Sequence, residues 1–511
     1  MSFMNAVRQT LNDEYNVSIT ENGAFGYRTT GKELLDLNFA VASLRKMPDA
    51  EVAKRFMKAF CEDQMLAMKW LFYARDVRGG LGERRLFRVV LAELVKSNPE
   101  MVIPVINLIP EYGRFDDLWC LLDDKEAANV IYQIVDNQLK LDWENMADKK
   151  PISILAKWMP SINASSEKTK EYGKKLCKAL KMTEREYRKA LSKLRAYLDV
   201  VEVKMSDKNW SAIKYEAVPS RANLIYNGAF LRNDEARRRE YLGKLEKGET
   251  KINASTLFPH DIVHKYMSGG MWSTRVKAKD ATIEALWKAL PDTVKGCGNT
   301  IVVADGSGSM TTTVDSNSRV TALEVANALA IYFAEHSSGD FKDKYITFSH
   351  IPQLVDFSHC KNLHDKLQTA LAHNEVADTN IEKVFDLILT TAINGRMHQE
   401  DLPKNVLIIS DMEFNSCARS NSGRPTQTLF NTIAQKYARV GYKMPRLVFW
   451  NVNSRTGTIP VKENELGVAL VSGFSVNVAK MVMSGKTDPF ECLLETLNSE
   501  RYAPVEETLN Q

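Results

Sequence analysis

Ile301-Val302-Val303-Ala304-Asp305-Gly306-Ser307-Gly308-Ser309-Met310 decides how this chain is read. Four apolar residues, three of them β-branched, describe a buried strand. The run stops at Asp-Gly-Ser-Gly-Ser, a loop-forming stretch that carries one carboxylate and two hydroxyls. Three hard oxygen donors held within five residues suit magnesium or another divalent cation.

Working outward, the chain after residue 300 alternates short apolar strands with helical patterns. Strands are expected at 301–304, 345–348, 353–357, 406–410, 447–452 and 467–471, and helices at 320–336, 380–391, 426–440, 476–483 and 489–497. This alternation predicts βαβ units and a mostly parallel sheet. Ligands of such sheets bind beyond the carboxyl ends of the strands, where Asp305 and Asp411 both fall. Three loops can meet there: 305–309, 377–380 with Thr379, and 410–413 with Asp411. They offer two carboxylates and the hydroxyls of Ser307, Ser309 and Thr379. Hydroxyls are weak ligands, so a cation held this way stays electron-poor and can take an incoming acidic group from a protein or a phosphate.

Other chemistries fit this loop less well. Gly306-Ser307-Gly308 is not a G-x-S-x-G nucleophile elbow, and the chain has no G-x-x-x-x-G-K-[ST] phosphate loop. A phosphoryl-transfer aspartate site wants a second Asp two residues after Asp305, where Ser307 stands. For a metal hydrolase, Glu413 is the only general base near the ligands.

The constellation resembles the von Willebrand factor A domain and its metal-ion-dependent adhesion site, Asp-x-Ser-x-Ser followed by a Thr and then an Asp. The matching residues are Asp305, Ser307, Ser309, Thr379 and Asp411, and the resemblance covers about residues 297–485. It implies a Rossmann-like α/β domain with magnesium bound by those five residues.

The first 294 residues read as mostly helical, with helices expected at 51–73, 83–97, 99–108, 115–122, 126–142 and 183–198. Helices joined by short turns predict a degenerate helical repeat without a fixed period. Between two of them lies Tyr73-Ala74-Arg75-Asp76-Val77-Arg78-Gly79-Gly80-Leu81-Gly82-Glu83-Arg84-Arg85. Arg75, Arg78, Arg84 and Arg85 could grip phosphates; alternatively Arg75, Asp76, Arg78 and Glu83 pair with one another and fix the turn. This stretch, Tyr112-Gly113-Arg114-Phe115-Asp116-Asp117-Leu118 and a following A domain together resemble the TROVE family of the Ro autoantigen type. They look closer still to a sister family with that layout, for which Leu155–Ser161 and Val218-Pro219-Ser220 look like further signatures. The resemblance spans about residues 30–485. It implies HEAT-like repeats that close into a ring with the A domain and bind structured or misfolded noncoding RNA.

Three other features read differently. The Lys/Arg-rich tract 168–193 and Arg237-Arg238-Arg239 read first as solvated faces and second as phosphate contacts. His260 and His264 stand at i,i+4 spacing, but Asp261 occupies the place of a zinc protease's Glu, so this stretch reads as a helix start near the domain junction.

Bulk properties agree with a large globular protein. At 511 residues, with 44% hydrophobic and 26% charged residues, the chain predicts roughly two to four domains. Residues 1–294 carry 48 Lys/Arg against 40 Asp/Glu, whereas residues 295–511 carry 20 against 24, a modest hint that the first part meets a polyanion. Seven scattered cysteines without C-x-x-C predict a reduced, intracellular protein without structural zinc. No apolar signal core or run of about 18 apolar residues is found, so no membrane span is expected.

The expectation is therefore a mixed fold: a helical-repeat domain at 1–294, an A-type α/β domain at 295–490, and a C-terminal helix and tail at 491–511. The expected function is that of a non-enzymatic cytoplasmic RNA-binding protein, a ribonucleoprotein scaffold with magnesium in its A domain. The alternative is a metal-dependent module that captures an acidic residue of a partner protein.

Overall fold

A computed structural model describes the chain except residues 1–2, 5–6, 8–10, 12–14, 24, 269–274, 295–298, 317, 349–350, 375–379, 415–428, 461–466, 480 and 482–487. The described strands are β1 (Val17–Ile19), β2 (Phe25–Tyr27), β3 (Met267–Ser268), β4 (Arg275–Val276), β5 (Thr300–Asp305), β6 (Lys344–Phe348), β7 (Leu354–Asp356), β8 (Asn405–Ser410), β9 (Arg446–Asn451) and β10 (Val468–Ser472). The last six form one sheet in the order β10-β9-β8-β5-β6-β7. Every pairing is parallel except that of β7 with β6. The mixed α/β class and the mostly parallel sheet are as expected from the alternating pattern.

The two central strands are buried throughout or nearly so, as continuous apolar runs covered on both faces should be. Their register pairs Ala304 with Ile409, so Asp305 and Ser410 arrive together at the carboxyl edge. Behind them lies the helix Ala322–His336, buried from Ala322 to Ala334. Its start is set by a capping box between Thr321 and Glu324.

The chain forms two compact units that cut across the expected boundary at 294/295. One comprises residues 1–64 and 257–498, the other residues 65–256 and 499–511. In the first, the helix Glu33–Leu44 buries nine of its twelve residues and packs on β9 and β10. Its backbone is tied there: the Ala42 N–H donates to Ser472 Oγ at 3.1 Å, and the Asn451 amide donates to Phe39 O at 2.8 Å. The helix Pro259–Tyr266 packs on Ala322–His336, with His264 Nδ1 2.9 Å from Glu324 Oε2. The helices Glu33–Leu44 and Pro259–Tyr266 therefore belong with the sheet and its covering helix, which bury their apolar sides.

The second unit is helical. Its C-terminal segment enters the core, where Tyr502 stacks on Tyr112 at 5.8 Å between ring centroids. Three expected elements differ in form. The helix expected at 51–73 is two helices, Asp49–Glu62 and Gln64–Arg75, because Asp63 takes an extended conformation (φ −154°, ψ 108°). The segment 115–121 is a 3-10 helix, as is 103–108 after a single α-turn at Pro99–Val102.

Candidate metal centre

The centre is built where β5 and β8 end. Asp305, the last residue of β5, accepts the Ser307 N–H on Oδ1 at 2.9 Å and the Ser410 hydroxyl on Oδ2 at 2.6 Å. The first bond curls the loop back on itself and brings the Ser307 and Ser309 hydroxyls within 3.0 Å of each other. Gly306 is packed closely, since a Cβ there would stand 2.8 Å from Asn374 Oδ1 and 3.2 Å from its Cα, so any other residue would displace Asn374.

Asp411 follows β8 directly. Met412 then turns the chain with a positive φ of 63°, and its N–H donates to Ser410 Oγ at 3.1 Å. The Glu413 N–H donates to Asp411 Oδ1 at 3.3 Å, while Oδ2 is buried and accepts no hydrogen bond. Asp305 and Asp411 are each 1% exposed.

Two buried carboxyls so close together resist ionisation. Burial pushes the Asp305 carboxyl above the usual range, against hydrogen bonds from Ser410 and Ser307. Asp411 is pushed up to about 7, by burial first and the charge on Asp305 second; the Ser309 hydroxyl and the Arg455 guanidinium oppose this. A divalent cation would reverse the logic by favouring both ionised forms. Among the described residues no three His, Cys, Asp or Glu side chains form a group able to hold a metal. The donor set is instead two carboxylates and two hydroxyls, and Asp411 Oδ2, which accepts no hydrogen bond and meets the Arg455 guanidinium only at 3.5 Å, makes it fit a hard cation. Four of the five expected ligands, Asp305, Ser307, Ser309 and Asp411, thus gather at one edge. Thr379 lies outside the described residues.

Glu413, the expected candidate base, is committed elsewhere. Its carboxylate accepts the N–H groups of Glu21, Arg455 and Thr456 at 2.8, 2.9 and 2.9 Å, and the Thr456 hydroxyl at 3.1 Å. It fastens the β1–β2 turn and the loop after β9 to the metal loop. Sequence reasoning missed both partner segments. Arg455 was within reach of the strand-end rule, because its loop leaves the same sheet edge; nothing local pointed to Glu21, in a turn almost 400 residues upstream of Glu413.

The arginine candidates lie in the helical unit, and their surroundings differ. Arg75 is buried, with Nε and Nη2 at 2.8 and 2.7 Å from Asp117 Oδ2, so its place as a phosphate contact is corrected to a structural ion pair. Asp76 pairs not with Arg75 but with Arg501, whose Nη2 donates at 3.0 Å, and with the Tyr502 hydroxyl at 3.2 Å. Exposed Arg78 donates to Glu111 O at 3.3 Å, and Arg85 is exposed. Arg84 is 51% exposed and 3.9 Å from Asp116 Oδ2, the oxygen that Arg88 and Arg114 approach to 2.8 Å. In the 168–193 tract, Lys168 and Lys175 pair with Asp123 at 3.5 and 2.7 Å. Arg238 is buried, its guanidinium 4.9 Å from the Tyr215 ring centre.

The fold and site define a two-unit protein: a helical body, and an α/β body whose parallel sheet carries an acidic, hydroxyl-rich cluster at its carboxyl edge. The family model described as "Domain of unknown function (DUF2828)" matches residues 20–111 and 128–300, more than half of the chain, and the chain belongs to that family. A second model, "Domain of unknown function (DUF7788)", matches residues 299–507. The chain is also similar to "Uncharacterized protein L728" of Acanthamoeba polyphaga mimivirus, 28% identical over 529 aligned residues that cover 96% of this chain and 89% of the relative.

Proposed function

We propose that this protein is a non-enzymatic, divalent-cation-dependent binding protein, with a von Willebrand A-type domain joined to a helical-repeat body in the TROVE layout. Asp305, Ser307, Ser309, Thr379 and Asp411 would hold magnesium, which supplies an open coordination position for an acidic group of the ligand. The observation that carries this reading is the buried Asp411 Oδ2, which accepts no hydrogen bond beside a second buried carboxylate. That arrangement is costly unless a cation completes it. The engagement of Glu413 by four donors supports binding over hydrolysis.

Of the two ligands, structured noncoding RNA is taken first, and one cluster of the helical unit supports an anionic ligand. Arg75, Arg84, Arg88 and Arg114 surround only Asp116 and Asp117, which leaves a surplus of positive charge at half-exposed Arg84. In the RNA reading the phosphate contacts are Arg84 and Arg85 with Arg78 beside them, and the protein is a cytoplasmic ribonucleoprotein scaffold. Among the described residues no helix is long and apolar enough to cross a membrane.

The test is calorimetric titration of the metal-free protein with magnesium, followed by gel-shift of structured RNA at moderate salt, on wild type and Asp305→Ala. Magnesium binding lost in Asp305→Ala supports the cation site. A protein that purifies free of nucleic acid and shifts no structured RNA removes the RNA reading and leaves the acidic protein partner.

A further inference from the structure

We propose that the Glu21 carboxylate contacts the cation from outside its direct ligands, through a cation-bound water, and that Arg455 is a built-in counter-ion which a bound cation displaces. This rests on the reading of Asp305 and Asp411 as cation ligands.

One nitrogen carries the geometry. Arg455 Nη2 ion-pairs with Glu21 Oε2 and also lies 3.5 Å from Asp411 Oδ2. A guanidinium nitrogen thus spans two carboxylates from opposite ends of the chain. Its contact to Asp411 is Coulombic only, because that oxygen accepts no hydrogen bond. A divalent cation placed against Asp411 would replace a single, shared positive charge with a double one at shorter range. Magnesium retains several of its waters, so Glu21 can join the site through one of them without moving its backbone.

The backbone of each residue is held independently of that ion pair. The Glu21 N–H is bound to Glu413, the neighbouring Thr20 hydroxyl donates to Phe414 O at 2.6 Å, and the Asn22 amide donates to Glu413 O at 2.6 Å. The Arg455 N–H is also bound to Glu413. The β1–β2 hairpin is pinned again where Tyr27 pairs with Ile459 and the Ser18 and Thr458 hydroxyls meet at 2.9 Å. Only the two side chains have to rearrange, and they can: Glu21 is 57% and Arg455 31% exposed, against 1% for Asp411. Released from Asp411, Arg455 stands at the mouth of the site, where it meets the anionic group of the ligand.

The two side chains therefore act on the cation with opposite sign, which a general loosening of the edge would not produce. Manganese, a paramagnetic substitute for magnesium, is titrated into the metal-free full-length protein and its free fraction read by electron paramagnetic resonance. Folding of each variant is checked by circular dichroism in chelator. Arg455→Gln is expected to tighten the manganese Kd by about fivefold or more, and Glu21→Gln to weaken it by about fivefold. If both variants stay within about twofold of wild type while Asp305→Asn abolishes binding, or if both weaken it, the proposal fails and the cation site stands. If the wild type itself binds no manganese, the cation-site reading fails and this inference with it.

Discussion

The Ser410 hydroxyl donates to Asp305 Oδ2 at 2.6 Å, linking the last residues of the two central strands across the sheet edge. It holds the Asp305 carboxylate in one orientation, with Oδ1 turned to the Ser307 N–H. Ser410→Ala removes a hydrogen bond to a buried charged group, so a loss of about 1.5–3 kcal/mol is expected in urea unfolding with chelator. Magnesium affinity falls severalfold as well, because Asp305 loses its fixed pose; an unchanged affinity would remove Ser410 from the support of the site.

The carboxyl pair makes the metal-free protein pH-sensitive. Both folded-state values are raised, Asp411 to about 7, so the fold favours the protonated forms. The stability contribution is complete below about pH 4, the unfolded value, and is lost as pH rises through about 7. In chelator, thermal stability is expected to fall between pH 6 and pH 8. Saturating magnesium flattens that slope, and Asp411→Asn reduces it to the share of Asp305 while stabilising the metal-free protein at pH 8 on the order of 2 kcal/mol. Differential scanning calorimetry at the two pH values checks each sign.

Glu413 ties three chain segments together, so its removal should be felt as stability. Glu413→Ala leaves the Glu21, Arg455 and Thr456 N–H groups without their carboxylate acceptor. A loss of about 2–4 kcal/mol in the unfolding free energy from urea titration is expected, partly softened by water reaching the exposed loop. Proteolysis should then cut first near residues 20–22 or 455–456, now released from the metal loop.

Arginines near one another in sequence separate by burial. Arg75→Ala breaks a buried pair with Asp117 and is expected to cost about 3–5 kcal/mol. Arg84→Ala, at a half-exposed site 3.9 Å from its carboxylate, should stay within about 1 kcal/mol. If RNA is the ligand, Arg84→Ala weakens binding evenly across sequences and lowers the salt slope by about one, as a phosphate contact does. A slope unchanged in both Arg84→Ala and Arg85→Ala would separate this cluster from any RNA contact.

The strands and the gathering of Asp305, Ser307, Ser309 and Asp411 at one sheet edge were legible because they rest on local rules. A parallel strand covered on both faces must be a short apolar run, and its ligand loop must follow its carboxyl end; Asp305 and Asp411 obey both rules. The break at Asp63 was not legible, since the apolar spacing of 51–73 continues through it. Arg75 was misassigned for the opposite reason. Its partner Asp117 lies 42 residues away, so pairing was sought at the nearer Asp76, which the C-terminal Arg501 takes.

By itself the sequence determined the alternation of strands and helices, the three-residue loop Asp305, Ser307 and Ser309, and the placement of Asp411 at a strand end. Each of these follows from side-chain periodicity and the short reach of a turn. Tertiary structure alone decided which segments share a core. It laid Glu33–Leu44 on the edge strand β10, drew residues 499–511 into the helical body, and set Glu21 and Arg455 beside Asp411. Those contacts join residues up to about 430 positions apart. Their energy comes from buried apolar faces and paired charges that no local window contains.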